Sequence, residues 1–517
     1  MKRRSFLRNA AALGVPLVVG GSAVQALAAP LRYAAFNGAT DRVLVLIELS
    51  GGNDGLNTVL PFDKYDQLQA VRGNLLIDQS AAISLSTETG LHPALAGMQQ
   101  LWDNAQLQIV QGVGYPNQNR SHFRSIDIWN SGSAAEDFVS EGWLGRWLSL
   151  EHASFPDGYP NAEHPDPFAI RLGRSAHPSC QGYGSNFSIA VQDPTDLGGL
   201  SSGGNSTVPD TPYGEELTWL RQTIAQTNAY GSRVGEAAEA GSNAIDYPIS
   251  GLAEQLATVA RLISGGIQTK IFVCSLGGFD THAGQLIESN TTTGIHAQLL
   301  RELGDAVAAF QNDLNAQSLQ ERVIGMTFSE FGRRIKANDS QGTDHGSAAP
   351  LFMFGSCLAP GFVGTNPELP EVIGDADGVA LQFDFRDIYG SILEDWFETP
   401  ADDVRQILHQ DYQKLPIVQV CSATNTNAPA VSVPTLRVSP SPFVRTFELQ
   451  FDHAGGYADL ALYDARGAHI AQLHRGELPG GSQTFRFTKG HRLPAGNYFV
   501  RLQVVGGVIA TEVVVKL

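Results

Sequence analysis

Arg42–Leu49 reads RVLVLIEL, and Ser50-Gly51-Gly52-Asn53-Asp54-Gly55 follows it. A short, solid apolar run closed by glycines is the pattern of a strand buried on both faces. The same unit recurs twice. Thr269–Leu276 (TKIFVCSL) runs into Gly277-Gly278-Phe279-Asp280-Thr281-His282. Arg322–Phe328 (RVIGMTF) runs into Ser329-Glu330-Phe331-Gly332-Arg333-Arg334. Leu107–Val113 and Pro350–Phe354 are further strand candidates. Leu252, Leu256, Val259 and Ile263 recur at helical spacing, and Ile295 to about Leu314 reads as a helix. Alternating strands and helices predict an α/β fold, with a doubly wound, largely parallel sheet covered on both faces.

That domain is expected to run over residues 40–415. Within it, 151–248 is rich in Gly, Pro, Ser, Asn and Asp and reads as an insertion, either a lid or a surface loop. A polar, Pro/Ala-rich linker follows at 422–434. Residues 435–517 then alternate apolar and polar residues in short runs, as in Phe447-Glu448-Leu449-Gln450-Phe451, and predict a small antiparallel β-sandwich. At the other end, Lys2-Arg3-Arg4-Ser5-Phe6-Leu7-Arg8, a Gly/Ala-rich apolar stretch and Ala26-Leu27-Ala28 form a twin-arginine signal peptide over residues 1–28. The apolar stretch is shorter than the roughly 20 residues that a spanning helix needs. The expectation is an exported chain with no transmembrane span after cleavage, found in the periplasm and then at the cell surface or secreted.

The chain has 517 residues and a net charge of −18. That sign disfavours nucleic acid and anionic membrane as partners. Cys180, Cys274, Cys357 and Cys421 are scattered, so there is no CxxC zinc or redox pattern. Buried thiols and one or two bridges both remain open at this point.

The chemistry is expected at the carboxyl ends of the strands, where open α/β sheets bind ligands. Asp280-x-His282 and, beyond the third strand, Asp344-His345 each put a carboxylate and an imidazole in one glycine-bearing loop. That is the ligand set of zinc, manganese or iron. Two such loops on neighbouring strands predict a pair of divalent ions, which clamp the attacking and leaving oxygens of an in-line displacement. Asn119-Arg120-Ser121-His122-Phe123-Arg124 follows the strand at Leu107–Val113. Ser121 is a candidate nucleophile, with Arg120 or Arg124 holding an anion. Ser121 also suits a helix N-cap.

LVLIELSGGNDGLNTVLP, NRSHFRSIDIW, GGFDTHAGQ and TFSEFGRR…GTDHG, in this order after a twin-arginine signal, resemble the bacterial family numbered 1501 among the domains of unknown function. That family is placed in the alkaline-phosphatase and sulfatase superfamily. The resemblance implies an alkaline-phosphatase-like fold, a bimetal site and hydrolysis or transfer of phosphate or sulfate esters. It implies metal ligation by Asp344 and His345, by Asp280 and His282, and by Asp54 as the first-strand aspartate. It places Ser121 at the nucleophile's position in chain order. His409 and His453 are the candidates, by order, for the superfamily's last metal histidine. No Cys-x-Pro-x-Arg sulfatase motif occurs. The C-terminal region, with Pro440-Ser441-Pro442-Phe443 and Leu493-Pro494-Ala495-Gly496-Asn497-Tyr498, resembles the type IX secretion sorting domain. A carbohydrate-binding sandwich is the rival reading of that region.

Two functions follow as expectations. One is an exported hydrolase of phosphate or sulfate esters, dependent on divalent metal (zinc or manganese first, calcium as a further candidate). Its partners would be an anionic ester substrate and the twin-arginine and type IX export machinery. The other is a non-catalytic cell-surface binding or assembly protein built on the same scaffold.

Overall fold

The computed structural model describes residues 41–194, 211–419, 436–453, 456–464, 469–504 and 509–517, with two dipeptide strands at Val18–Val19 and Ser22–Ala23. The expected signal peptide otherwise lies outside the described residues, as does the linker.

The central sheet has nine strands. In chain order they are β1 (Val43–Ser50), β2 (Leu107–Gly114), β3 (Ala169–Leu172), β4 (Ser188–Val191), β5 (Ile271–Gly277), β6 (Val323–Phe328), β7 (Ala349–Phe354), β8 (Gly361–Val363) and β9 (Phe383–Asp384). Across the sheet the order is β8-β2-β7-β6-β1-β5-β3-β4, with β9 also on β2. Only β7 runs antiparallel to its neighbours. The three apolar runs that define the fold lie side by side, β1 between β5 and β6, all parallel. Gly277 pairs with Ser50 and Phe328 with Glu48, so the three strands end at the same level.

β1 explains why both faces are covered. Successive side chains of a strand point to opposite faces. Val43, Val45, Ile47 and Leu49 enter one core, and Leu44 and Leu46 enter the other. The first core is closed by α1 (Ala96–Asp103), α4 (Gly251–Ser264) and α5 (Ile295–Ala316). The second is closed by α2 (His122–Ser131), α3 (Trp143–Glu151) and α6 (Ala401–Leu408). Ser250 starts α4 by accepting a hydrogen bond from the Ala253 amide at 3.2 Å, which satisfies one of the free donors of the first turn. Among the described residues, no helix is long and apolar enough to cross a membrane.

The region 151–248 differs from its expectation. β3 and β4 lie within it and extend the sheet beyond β5. Their sequences, AIRL and SIAV, are four residues each and sit among turn-forming residues, so the local composition hid them. A long helix, Pro212–Ala240, occupies much of the rest.

The C-terminal region forms one three-stranded and one four-stranded antiparallel sheet. Phe447, Leu449 and Phe451 of one pack with Leu460, Leu462, Val500 and Leu502 of the other in a single core. Cys180 and Cys274 are buried free thiols, and Cys357 is disulfide-bonded.

Candidate metal centre

Four segments meet at the carboxyl ends of β1, β5 and β6. They are the loop Ser50–Gly55, the loop Gly278–His282, the segment Ser329–Gly346 and the N-terminus of α2. Close backbone approach requires glycine at two points. Gly51 has φ +123°, and a Cβ there would stand 2.3 Å from the Asp280 amide nitrogen. A Cβ on Gly342 would stand 2.3 Å from the Thr281 carbonyl oxygen.

Arg333 ties these segments together, and its side chain is fully buried. Nε donates to the Gly52 carbonyl at 2.7 Å and Nη1 to the Thr343 carbonyl at 2.8 Å. Nη2 donates to the carbonyls of Gly51 and Phe279 and, at 2.6 Å, to Asp280 Oδ1. A planar guanidinium with five fixed donors suits this bracing role, and a lysine would not replace it.

In front of Arg333, three imidazoles and one carboxylate converge. His345 Nε2 and His282 Nε2 are 2.8 Å apart, and each is 3.2 Å from Asp280 Oδ1. His122 Nε2 is 3.5 Å from Asp280 Oδ2. Ligand atoms of His122, Asp280 and His345 lie within 4.8 Å of one another. The Phe331 ring packs against His345 and His122, with centroids 4.6 and 4.9 Å away. The cluster stays open to solvent, since the Asp280 side chain is 49% exposed. Burial pushes the Asp280 carboxyl up, but the Arg333 guanidinium, His345 and His282 outweigh it and hold the group below its usual range. Imidazole nitrogen beside carboxylate suits zinc, manganese or iron. Calcium prefers a shell of oxygens and does not fit these donors.

Asp344 sits just outside this convergence. Its Oδ1 takes His282 Nδ1 at 3.0 Å and Asn338 Nδ2 at 3.2 Å, and its Oδ2 faces Arg334 Nη1 at 3.3 Å. Burial raises its carboxyl, and these three partners together bring it below the usual range.

Asp54 is placed elsewhere. It is 1% exposed, and its Oδ2 is gripped by Arg72 and by Gln285 Nε2, the latter at 2.7 Å. It lies behind the ligand loops and acts on them through Gln285. The Oε1 of Gln285 accepts Thr281 Oγ1 at 3.2 Å and Thr343 Oγ1 at 3.4 Å. Thr281 lies between Asp280 and His282, and Thr343 immediately precedes Asp344. Asp54, expected as the first-strand metal ligand, is thus paired with Arg72 and Gln285 instead of standing among the imidazoles.

Ser121 is the exposed N-cap of α2, and its hydroxyl makes no hydrogen bond to the helix amides. Arg120 donates to the Ala376 carbonyl at 2.9 Å, and its own carbonyl accepts from His345 Nδ1 at 2.8 Å. Burial and the charge of Arg334 lower the Arg120 pKa, while Arg334 itself pairs with Asp344 and donates to the His345 and Asp375 carbonyls. Arg124 turns away. It pairs with Asp127, donates to the Ala135 and Asp137 carbonyls and covers the Phe138 ring at 4.0 Å. His409 caps the end of α6 with φ 56°, and His453 lies in a strand of the C-terminal sheets.

Sequence reasoning passed over one member of the site. His122 stands one residue after Ser121, at the first position of a helix that follows a central strand, and that placement was its available signal. Glu330, with Arg333 and Arg334, reads in sequence as a structural ion pair or as a residue that supports the site or binds substrate, and it holds His122 Nδ1 at 2.7 Å. The structure separates them and gives Arg333 to Asp280 and Arg334 to Asp344.

Comparison with known proteins adds the following. No curated protein matches the chain. Among solved structures it is similar to a lipoteichoic acid synthase from Listeria monocytogenes, at 8% identity over 80% of this chain and 82% of that one, with a TM-score of 0.33. It is similar to a protein in the alkaline phosphatase superfamily from Vibrio parahaemolyticus, at 10% identity over 91% and 79%, with a TM-score of 0.31. It is also similar to a phosphonate monoester hydrolase from Silicibacter pomeroyi, at 9% identity over 91% and 88%, with a TM-score of 0.29. The family described as "Protein of unknown function (DUF1501)" matches residues 41–393, a stretch that holds every strand end and every side chain of the cluster, and the chain belongs to that family.

Proposed function

We propose that the chain is an exported, metal-dependent hydrolase of phosphate or sulfate esters. The observation that carries this reading is the convergence of three imidazoles and the Asp280 carboxylate, with Arg334 paired to Asp344 next to it and the Arg120 carbonyl on His345. His122, Asp280, His282 and His345 would hold the metal. A divalent ion at such a site polarises a phosphoryl or sulfuryl oxygen and lowers the pKa of bound water. Arg120 and Arg334 would bind the anionic oxygens of the ester, because guanidinium matches such oxyanions with paired donors. Ser121, exposed beside His122, would supply the attacking hydroxyl, with water as the rival nucleophile. Attack by Ser121 would form a seryl phosphate or sulfate and release the alcohol, which gains the serine's proton by way of solvent; water would then hydrolyse the seryl ester to inorganic phosphate or sulfate and restore the hydroxyl.

Export rests on the arginine pair and apolar stretch of residues 1–28, on the C-terminal resemblance to a sorting domain, and on the disulfide at Cys357, a bond that persists in oxidising compartments. The test is turnover of nitrophenyl phosphate and nitrophenyl sulfate by residues 29–517. Turnover lost in both His122→Ala and His345→Ala is the expected result. Turnover that survives both changes, or that is absent for every phosphate and sulfate ester in the presence of zinc or manganese, would sink the reading in favour of a binding protein.

A further inference from the structure

Each imidazole of the cluster meets the scaffold through Nδ1, and each Nδ1 faces a group that only accepts. His122 Nδ1 is 2.7 Å from Glu330 Oε1, His282 Nδ1 is 3.0 Å from Asp344 Oδ1, and His345 Nδ1 is 2.8 Å from the Arg120 carbonyl. A carboxylate or a carbonyl has no proton to give, so a ring that binds metal here carries its proton on Nδ1 and offers Nε2 as the ligand atom. Each Nε2 lies toward the Asp280 carboxylate, 3.2 Å from Oδ1 for His282 and His345 and 3.5 Å from Oδ2 for His122. His282 Nε2 and His345 Nε2 face each other across 2.8 Å. Two unprotonated nitrogens at that separation repel one another unless a proton or a metal ion stands between them.

The remaining carboxylates are already engaged. Both oxygens of Asp344 hold His282, Asn338 and Arg334. Asp54 is buried, with its Oδ2 held by Arg72 and Gln285 and its Oδ1 enclosed without a hydrogen-bond partner. Glu330 is fixed from behind, because the Gly51 amide donates to its two oxygens at 2.9 and 3.1 Å and Ser329 Oγ to Oε2 at 3.2 Å. Its side chain is 5% exposed. A carboxylate or carbonyl on the far nitrogen of a metal-binding histidine sets the tautomer and aims the ring.

We propose that the cluster binds a single divalent transition ion, through Nε2 of His122, His282 and His345 and the carboxylate of Asp280. Glu330 and Asp344 are positioning residues that orient His122 and His282. Arg120 and Arg334 take the place of a second ion at the substrate's anionic oxygens. The proposal rests on the metal reading above and replaces the two-ion site expected from sequence with a one-ion site.

The test is a cobalt(II) titration of residues 29–517, followed by visible absorption, with stoichiometry confirmed by mass spectrometry after zinc exchange. Saturation at one ion per chain is expected. His122→Ala should abolish tight binding. Asp344→Asn and Glu330→Gln keep an acceptor for the ring proton and should still bind one ion, with affinity about 10- to 100-fold weaker. Glu330→Ala should bind more weakly than Glu330→Gln, a graded response that simple loss of packing would not give. Thermal unfolding of each variant establishes that it is folded. Saturation at two ions, or complete loss of one of two ions in Asp344→Asn, overturns the one-ion site and leaves the hydrolase reading standing. Ester turnover that persists in metal-free protein overturns the metal dependence of the proposed hydrolase and leaves the one-ion site standing.

Discussion

Two aspartates follow two neighbouring parallel strands, Asp54 after β1 and Asp280 after β5, and each is held by an arginine. Asp54 is 1% exposed and sealed against Arg72 and Gln285. The Asp280 side chain is 49% exposed, braced by Arg333 and surrounded by imidazoles. The same residue pair thus does two jobs. The rear pair is a structural anchor that holds the ligand loops through Gln285. The front pair leaves one carboxylate edge free for chemistry. Depth behind the loop decides between the two, since a charge with no route to solvent can only serve its partners.

The sharpest way to break this contrast is to remove each carboxylate in turn. Asp54→Ala leaves Arg72 buried without its counter-charge and should cost about 3–5 kcal/mol in denaturant unfolding, while the remaining folded protein still binds metal. Asp280→Ala also leaves a buried guanidinium without its carboxylate, but Arg333 keeps its backbone carbonyl partners and Asp280 is half exposed, so the change should cost less stability and remove the metal. Equal loss of stability in both, or metal lost only with Asp54, would reverse the assignment.

Acid tests the rear region by itself. Burial holds His296 down to about 4, well below the usual histidine value of about 6.5. The unfolded chain therefore takes up this proton first as pH falls. Stability from this residue is complete above about pH 6.5 and declines down to about pH 4, by up to about 3 kcal/mol. Urea midpoints at pH 7 and pH 5 should show this loss, and His296→Gln should flatten it. An unchanged slope in the variant would contradict the burial argument.

Gln285→Met sharpens the link between the two regions. It removes hydrogen bonds to Asp54, Thr281 and Thr343 and should cost about 1–3 kcal/mol. It should also weaken metal binding by about 10-fold, the low end for a residue that supports ligands without touching the ion. Destabilisation with no change in metal affinity would sever the two regions. The smallest effect is expected at the buried thiols. Burial pushes the thiols of Cys180 and Cys274 up to about 12, so both should resist alkylation in the folded chain and react once it unfolds.

Much of the fold was legible in the sequence because its decisive strands are buried on both faces. Thr269–Leu276 is observed as Ile271–Gly277, Arg322–Phe328 as Val323–Phe328 and Leu107–Val113 as Leu107–Gly114. Such strands carry their burial in composition alone. β3 and β4 do not, being four-residue elements at one side of the sheet, with β4 at its edge, whose place is set by pairing to β5 and to each other. At the site, the loops around Asp280, His282 and His345 could be placed from strand ends alone, and the structure brings these three side chains together. Sequence could not tell that Asp54 points into the body of the protein, or that Arg124 turns back to Asp127. His122 and Glu330 are 208 residues apart and meet only in the folded chain. Pairings of this kind have no local pattern to betray them.

The measurement that bears most directly on the centre is X-ray absorption on the zinc-loaded chain. The proposed one-ion site predicts a first shell of three imidazole nitrogens and a carboxylate oxygen at about 2.0–2.2 Å. It predicts no metal–metal scattering near the ~3.5–4 Å of a two-metal site. An oxygen-dominated shell, or a clear metal–metal vector at that distance, would contradict it.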